Sequence, residues 1–337
     1  MPKNKKNKSI KLKLKSNHKY MDIGSLIKSV KPQISDSSLK AYKGNLNILN
    51  KSVNNNSEIT SLQFLTNPKK IIDILDNKAL STKKNYLVAI VVVLQSDKDK
   101  YEKIINQYNK YIGELQDKIL DNYDNNEKSD KQSANWIEYN EIRKLLTKYK
   151  KLANPILNKT IDTYSNKDLQ TIQDYLLLSL YSGKYFPVVR NDFAPMEIIN
   201  DDEKMDNDKN YLVIGKDYMK FIFKEFKTKK NTEDREILIK NKEFINLILK
   251  WIEMNNSENL LINIKDKKPM NANGITKNLN RIFQKEFGKN VSTSLLRSIY
   301  ISHMYENNNM SQKEKKKLAN EMMHSAKTAE SVYNKID

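Results

Sequence analysis

Three residue types that can together cleave a phosphodiester lie near the C-terminus of this 337-residue chain: Arg297, His324 and, nine residues after the histidine, Tyr333. A phenol has a pKa near 10 and must lose its proton as it attacks phosphorus, and imidazole can assist because it titrates near neutrality. The planar fork of arginine suits the extra charge of a five-coordinate phosphate. The chain has 18 tyrosines, so it is the spacing that makes Tyr333 the candidate nucleophile.

A second arginine follows an apolar helix pattern in the middle of the chain. Arg190 stands two residues before Asp192, in a segment that begins Phe186-Pro187. A second arginine could meet the charge of the same phosphate. The alternative is that Arg190 and Asp192 form a surface ion pair of little energetic value.

The departing 5′-hydroxyl needs an acid, and a lysine can supply one. Lys227 lies in a lysine-rich segment between two β-type runs. Alternation along a strand would place it on the same side as Glu225 and opposite to Phe226. Lys224 and Lys229 are alternatives for the acid. Three lysines are expected to contact DNA phosphates: Lys224, Lys229 and Lys230.

The order of these residues resembles the active-site series of tyrosine recombinases, the phage-integrase family. The five matching positions are Arg190, Lys227, Arg297, His324 and Tyr333. The resemblance implies that Arg190 binds the same phosphate, with Asp192 orienting it or neighbouring groups, and that Lys227, in a β-hairpin, is the acid. The segment around Arg190 is similar to the Pro-Pro-x-Arg-x-Asp-Tyr version of recombinases from large DNA viruses and virophages. The resemblance covers residues from about 154 onward and, more loosely, the N-terminal helices, where the family carries a DNA-clamping core-binding domain.

The resemblance implies a reaction without metal or cofactor, in which Tyr333 forms a 3′-phosphotyrosine and leaves a free 5′-hydroxyl. It also implies double-stranded DNA as partner and four protomers on paired sites. The chain departs from the family at Ser294, where a histidine is usual, and at Met323, where a glycine is usual. His303 echoes a common family histidine, and we favour a structural role for it.

Site-specific recombination or integration of DNA is therefore the predicted function. One alternative is a catalytically silent DNA-binding protein that keeps the fold, because Ser294 cannot hold a charge. The other alternative uses the same chemistry, as a type IB topoisomerase or a telomere resolvase.

Composition favours a polyanionic partner, because Lys and Arg outnumber Asp and Glu by 60 to 41, giving a net charge of +19. A membrane surface is the second candidate. The most apolar run, 86–94, is shorter than the ~20 residues that span a bilayer and is read as a buried helix. The absence of cysteine excludes disulfides and thiolate chemistry, and three histidines make a histidine-rich metal site unlikely. No secretory signal pattern is present, which predicts an intracellular protein that is not secreted.

Apolar periodicity predicts a mainly α fold with a small antiparallel β-sheet in an α+β catalytic domain. The expected parts are a basic tail (1–20), a helical core-binding domain (21–97), a helical connector (98–150) that could join either neighbour, and a catalytic domain (151–337). Local signals predict a helix capped by Ser165, an Arg297 helix over 292–303 and a short helix capped by Ser325. Ser81 and Thr82 are expected to cap the apolar helix that ends near Leu94.

Overall fold

The computed structural model describes residues 21–55, 58–159, 164–227, 229 and 234–335, except for the side chain of Asp124. The chain divides into two compact units, Met1–Asn122 and Tyr123–Asp337. The described residues are mainly helical, as predicted, and the second unit contains a four-stranded sheet. The predicted basic tail and Lys230 lie outside the described residues. Within the described ranges, no helix combines the length and the apolar composition needed to cross a membrane.

The described residues form thirteen α-helices, and five of them begin in the first unit: α1 (Ile23–Val30), α2 (Asp36–Asn54), α3 (Pro68–Ile74), α4 (Leu80–Leu94) and α5 (Lys98–Asp124). Helix α4 is at the centre of their core, because almost every side chain from Tyr86 to Leu94 is buried. The predicted buried helix is thus confirmed. The predicted cap is wrong, because the helix begins at Leu80 and already includes Ser81 and Thr82 in its first turn.

The predicted connector contributes to both units. In α5, the side chains of Tyr101, Ile105 and Tyr108 are buried in the core of the first unit, and the Tyr108 hydroxyl donates to the Leu65 carbonyl oxygen at 2.8 Å. The helix that follows residue 138 packs instead in the core of the second unit and continues past Pro155. The division of the chain after Asn122 therefore falls within the predicted connector.

Eight helices follow in the second unit: α6 (Asp130–Asn135), α7 (Tyr139–Leu157), α8 (Asn166–Tyr181), α9 (Lys242–Asn255), α10 (Ala272–Phe287), α11 (Thr293–Asn307), α12 (Gln312–Glu321) and α13 (Ala326–Thr328). The predicted cap of α8 is present, and α11 has a serine cap as well. Ser165 and Asp168 form a capping box at the start of α8, and the Ser292 hydroxyl accepts from the Leu295 amide at the start of α11.

The sheet has the order β1 (Met196–Asn200), β2 (Asn210–Ile214), β3 (Met219–Phe223) and β4 (Arg235–Ile239). Pairs β2–β3 and β3–β4 are antiparallel, as predicted, but β1 and β2 run parallel, so the sheet is mixed. The other edge of β1 is occupied as well, since the Ile198 amide donates to the Glu258 carbonyl and the Leu260 amide to the Met196 carbonyl. Partners on both edges fix the direction of β1, and the turn residues between β1 and β2 do not reveal it.

Candidate active site

Helix α11 holds Arg297 in the interior of the second unit. The apolar residues Leu296, Ile299 and Tyr300 are buried, as the sequence pattern predicts, and Arg297 itself is 1% exposed. Burial lowers the pKa of Arg297 to about 10. A guanidinium buried at this cost needs acceptors close by.

Tyr333 provides one of those acceptors. Arg297 Nη1 donates to the Tyr333 hydroxyl oxygen at 2.5 Å, and the guanidinium carbon lies 4.2 Å from the centre of the phenol ring. Ser325 caps the short helix α13, as predicted, and the chain continues through a π-helical turn, Ala329–Tyr333. The next turn is fastened to α11, because the Lys335 amide donates to the Ser302 hydroxyl oxygen at 2.8 Å. Tyr333 therefore lies between two fixed points of the chain, the Ser325 cap before it and the Lys335 contact after it.

His324 lies against the same phenol ring. The two rings stack with centroids 5.1 Å apart and planes 16° from parallel, and His324 is 6% exposed. Its Nδ1 lies 3.3 Å from the Ser325 carbonyl oxygen, which can only accept, so this contact places the hydrogen on Nδ1. Nε2 then carries a lone pair and has no partner. Burial, with a further contribution from Arg297, lowers the pKa of His324 to about 3, so the imidazole is neutral.

We call these three residues, Arg297, His324 and Tyr333, the buried cluster. The loop after α12 joins it to the first candidate arginine. Arg297 Nη2 donates to the Met322 carbonyl oxygen at 3.1 Å, and Arg190 Nη1 donates to the Met323 carbonyl oxygen at 2.9 Å. Two arginines from distant segments thus bind consecutive carbonyls directly before His324.

Met323 occupies the position at which the resembled family usually has glycine. Its φ is +59°, in the left-handed region where glycine fits without strain. The side chain is 3% exposed and packs in the core. The backbone turn that a glycine would favour is therefore formed here by methionine, with buried apolar contacts offsetting its strain.

An open cleft of about 490 Å³ lies beside Arg190. Four predicted residues contribute to its wall: Arg190, Asp192, Lys227 and Ser294. We call it the Arg190 cleft. Ser294 is exposed in the first turn of α11, and Lys227 is exposed in the connection after β3. Sequence reasoning thus selected residues that the fold gathers in two adjoining places, the buried cluster and this cleft.

Lys227 lies in the connection between the antiparallel strands β3 and β4, as predicted, but outside both strands. Strand β3 ends at Phe223, so the alternation used to orient Lys227 does not extend to it. The lysine lies in a turn instead of a strand. Of the other lysines in this connection, Lys229 forms an ion pair with Asp234, and the backbone amide of Lys224 donates to Asn210.

Asn210 is a site residue that sequence reasoning missed. Its side chain is 6% exposed and donates to two carbonyl oxygens, that of Asp192 at 2.9 Å and that of Glu225 at 2.8 Å. Its Oδ1 accepts from the backbone amides of Lys224 at 3.0 Å and Glu225 at 2.9 Å. One buried amide therefore ties the start of the Lys227 connection to the segment that carries Arg190. An asparagine next to Asp and Lys residues looks like a turn residue in sequence and gives no signal of this role.

Asp192 follows Arg190 in a 3-10 turn, Asn191–Phe193. Burial raises the pKa of its carboxyl to about 6, against the opposing effect of Arg190 and Arg297, and Glu225 adds to the rise. Its Oδ2 is buried and has no hydrogen-bond partner. Two arginine charges are thus insufficient to return the pKa of this carboxyl to its ordinary value.

His303 lies outside both groups. Its ring stacks on Tyr139 at 4.2 Å between centroids and 24° between planes, and it lines a different cavity. This packing agrees with the structural role favoured from the sequence.

Within the described part of the chain, no group of three or more His, Cys, Asp or Glu side chains is arranged to hold a metal ion. Comparisons with protein-family models, with curated proteins and with solved structures found no match to this chain. A functional proposal therefore has to stand on the residues of the chain and their geometry.

Proposed function

We propose that this protein is a DNA strand-transferase of the tyrosine-recombinase type, which cleaves and rejoins DNA through a phosphotyrosine on Tyr333. The observation that carries the proposal is the buried contact between the Arg297 guanidinium and the Tyr333 hydroxyl, with a neutral histidine stacked on the same ring. Packing alone does not require an arginine, a histidine and a phenol to meet in a core. Attack by a phenol on a phosphate uses all three: the phenol as nucleophile, the imidazole as proton acceptor and the guanidinium to stabilise the added charge.

The first step is attack of the Tyr333 oxygen on phosphorus. The phenolic proton passes to Nε2 of His324, which has a lone pair and no hydrogen-bond partner in the free protein, where its ring stacks on the phenol. A phosphate anion beside the imidazole favours its protonated form and so raises the low pKa of His324 toward the ordinary value. Removal of the proton and arrival of the phosphate are thereby coupled.

Two arginines meet the charge of the five-coordinate phosphate. Arg297 has an Nε–H without a partner, and Arg190 is only partly buried at the edge of its cleft. Both are fixed in place through the Met322 and Met323 carbonyls before DNA arrives. Donors that need no reorganisation give the largest stabilisation of a developing charge.

The P–O5′ bond then breaks, and the 5′-oxygen leaves with a proton from an acid in the Arg190 cleft. The 3′-phosphotyrosine is resolved by attack of another DNA 5′-hydroxyl, which reverses the same steps. Exchange between two duplexes in this way uses four protomers. The net charge of +19 supports DNA as the partner.

The test is capture of a covalent adduct. Nicked duplexes with a randomised segment of about 30 base pairs are incubated with the full chain, and SDS-resistant protein–DNA adducts are isolated and sequenced. The wild type should enrich a defined site, and Tyr333→Phe should form no adduct. Tyr305→Phe is the matched control, because the Tyr305 hydroxyl is buried without a partner and lies outside the buried cluster.

Two outcomes would contradict the proposal. One is an adduct that persists in Tyr333→Phe, which would place the nucleophile elsewhere. The other is salt-dependent DNA binding by the wild type with no adduct at any site, which would favour the catalytically silent DNA-binding protein.

A further inference from the structure

The Arg190 cleft contains an acidic group that a phosphate site would ordinarily exclude. Asp192 lines the cleft beside Arg190, and its buried Oδ2 accepts no hydrogen bond. Among the described residues, no cation lies within ion-pair distance of its carboxyl. A simple orienting role would instead show the carboxylate paired with the arginine.

The backbone holds Asp192 in this place firmly. Its carbonyl oxygen accepts from Asn210 Nδ2 at 2.9 Å, and the next residue, Phe193, is fully buried. Arg190 is fixed on the same turn, because its own carbonyl oxygen accepts from the Tyr181 hydroxyl at 3.0 Å. A phosphate that binds Arg190 in this cleft therefore has the carboxyl of Asp192 as a close neighbour.

A negative carboxylate in this position would repel the phosphate, and a neutral carboxylic acid would donate a hydrogen bond to it. The charged and titratable groups that act on Asp192 are Arg190 on its own turn, Arg297 on α11, Glu225 after β3 and Tyr181 on α8. Four further charged residues line the same cleft: Glu197, Asp208, Lys209 and Lys227. Burial already raises the pKa of the carboxyl to about 6 in the free protein. A bound phosphate adds negative charge and raises the pKa of Asp192 further, so the acid is protonated when DNA is in place.

Lys227 is less suited to the same task. Its side chain is exposed in the turn after β3, and no described residue fixes its ammonium group by an ion pair or hydrogen bond. A general acid acts well when it is held near the atom that it protonates. Of the two candidates for the acid, Asp192 is on a fixed turn beside Arg190 and Lys227 is on an exposed side chain without a described partner.

We infer that Asp192 is the general acid of strand cleavage, donating its carboxyl proton to the departing 5′-oxygen. The Tyr333 oxygen forms its bond to phosphorus, the P–O5′ bond breaks, and the electron pair of that bond takes the Asp192 proton. The phenolic proton stays on His324. In rejoining, the Asp192 carboxylate takes the proton back from the attacking 5′-hydroxyl. This inference rests on the proposed function and replaces Lys227 in the role predicted for it.

The test compares two duplexes of the site recovered by adduct capture, identical except that sulfur replaces the bridging 5′-oxygen at the scissile phosphate in one of them. A thiolate leaves without an acid. Asp192→Asn, which keeps the shape and removes the proton, should slow adduct formation about 100-fold or more on the oxygen duplex. On the sulfur duplex it should stay within about threefold of the wild type. Asp192→Glu, which retains a carboxyl, should recover part of the rate on oxygen.

Lys227→Met is the matched comparison and should not show this sulfur-specific rescue. If Asp192→Asn slows both duplexes equally or slows neither, or if the rescue appears with Lys227→Met instead, Asp192 is not the acid. If Asp192→Asn is unfolded, as shown by loss of helical circular dichroism, Asp192→Glu and Lys227→Met are compared on the same two duplexes instead. No adduct from the wild type on either duplex would instead refute the proposed function itself.

Discussion

The buried cluster and the Arg190 cleft differ in how many contacts hold their arginines in place. In the cluster, Arg297 donates to the Tyr333 hydroxyl and to the Met322 carbonyl, and its side chain is almost completely shielded from water. In the cleft, Arg190 makes one described side-chain contact, to Met323, and the Asp192 carboxyl has an unpartnered oxygen. The nucleophile is thus held before DNA arrives, and the groups that would meet the phosphate and the leaving oxygen are left open.

The difference has a physical basis in what each group must do. A nucleophile reacts fastest when its approach is fixed in advance, so the cluster benefits from close packing. A phosphate has to enter and a DNA strand has to leave, so the cleft cannot be closed by the protein alone. We therefore expect substitutions in the two regions to fail in different ways.

Exchanging each arginine for lysine gives the largest expected effect. Arg297→Lys keeps a charge but cannot reach Tyr333 and Met322 together, so adduct formation should fall about 1,000-fold or more, equivalent to roughly 4 kcal/mol. Arg190→Lys retains a single contact on a half-open side chain and should cost about 10- to 100-fold. The rates are measured on one selected duplex, with circular dichroism to verify folding. Equal losses for the two variants would mean that the closer packing of Arg297 has no catalytic consequence.

Local signals made much of this arrangement predictable. Ser165, Ser292 and Ser325 each cap the helix expected from the sequence, because a cap depends on residues within one turn. The burial of Arg297 follows from the apolar residues around it on α11. The order of the candidate residues also selected two arginines that bind one loop, and a tyrosine that contacts one of these arginines.

What the sequence left open depends on contacts between distant segments. The parallel pairing of β1 is decided by residues 258–260, and the end of β3 before Lys227 is set by hydrogen bonds to Asn210. Neither contact leaves a periodic pattern. The positive φ of Met323 is likewise invisible in a residue type that seldom adopts it.

The two regions should have opposite effects on how the free energy of unfolding depends on pH. The pKa of His324 is lowered to about 3 from an ordinary value of 6.5, so the folded state is destabilised as pH falls below 6.5, by about 2 kcal/mol at pH 5. The pKa of Asp192 is raised to about 6 from 3.8, so its stabilising contribution is complete below 3.8 and lost as pH rises to 6. His324→Gln should therefore lessen the acid loss, and Asp192→Asn should gain about 1–2 kcal/mol at pH 7.5 with no gain at pH 3.5.

Tryptophan fluorescence during urea unfolding measures the free energy of unfolding of the second unit, because both tryptophans, Trp136 and Trp251, lie in it. Variants and wild type are compared at pH 3.5, 5 and 7.5. An Asp192→Asn protein less stable than the wild type at pH 7.5 would show that the carboxyl makes a stabilising interaction, which is incompatible with a strained, unpaired acid. If His324→Gln loses as much stability between pH 7.5 and pH 5 as the wild type, His324 is not a neutral, buried imidazole.

The smallest effect is expected from the histidine that belongs to neither region. His303→Gln removes the stacking on Tyr139 and should lower stability by about 1 kcal/mol. Adduct formation should stay within about threefold of the wild type, because no contact joins His303 to the phenol or to either arginine. His324→Gln, the same exchange beside Tyr333, should lower the rate about 100-fold or more. Both histidines lie in the same unit and both have lowered pKa values through burial. A matched loss of rate in the two variants would therefore trace the effect to general destabilisation, and only a large difference supports a proton acceptor at His324.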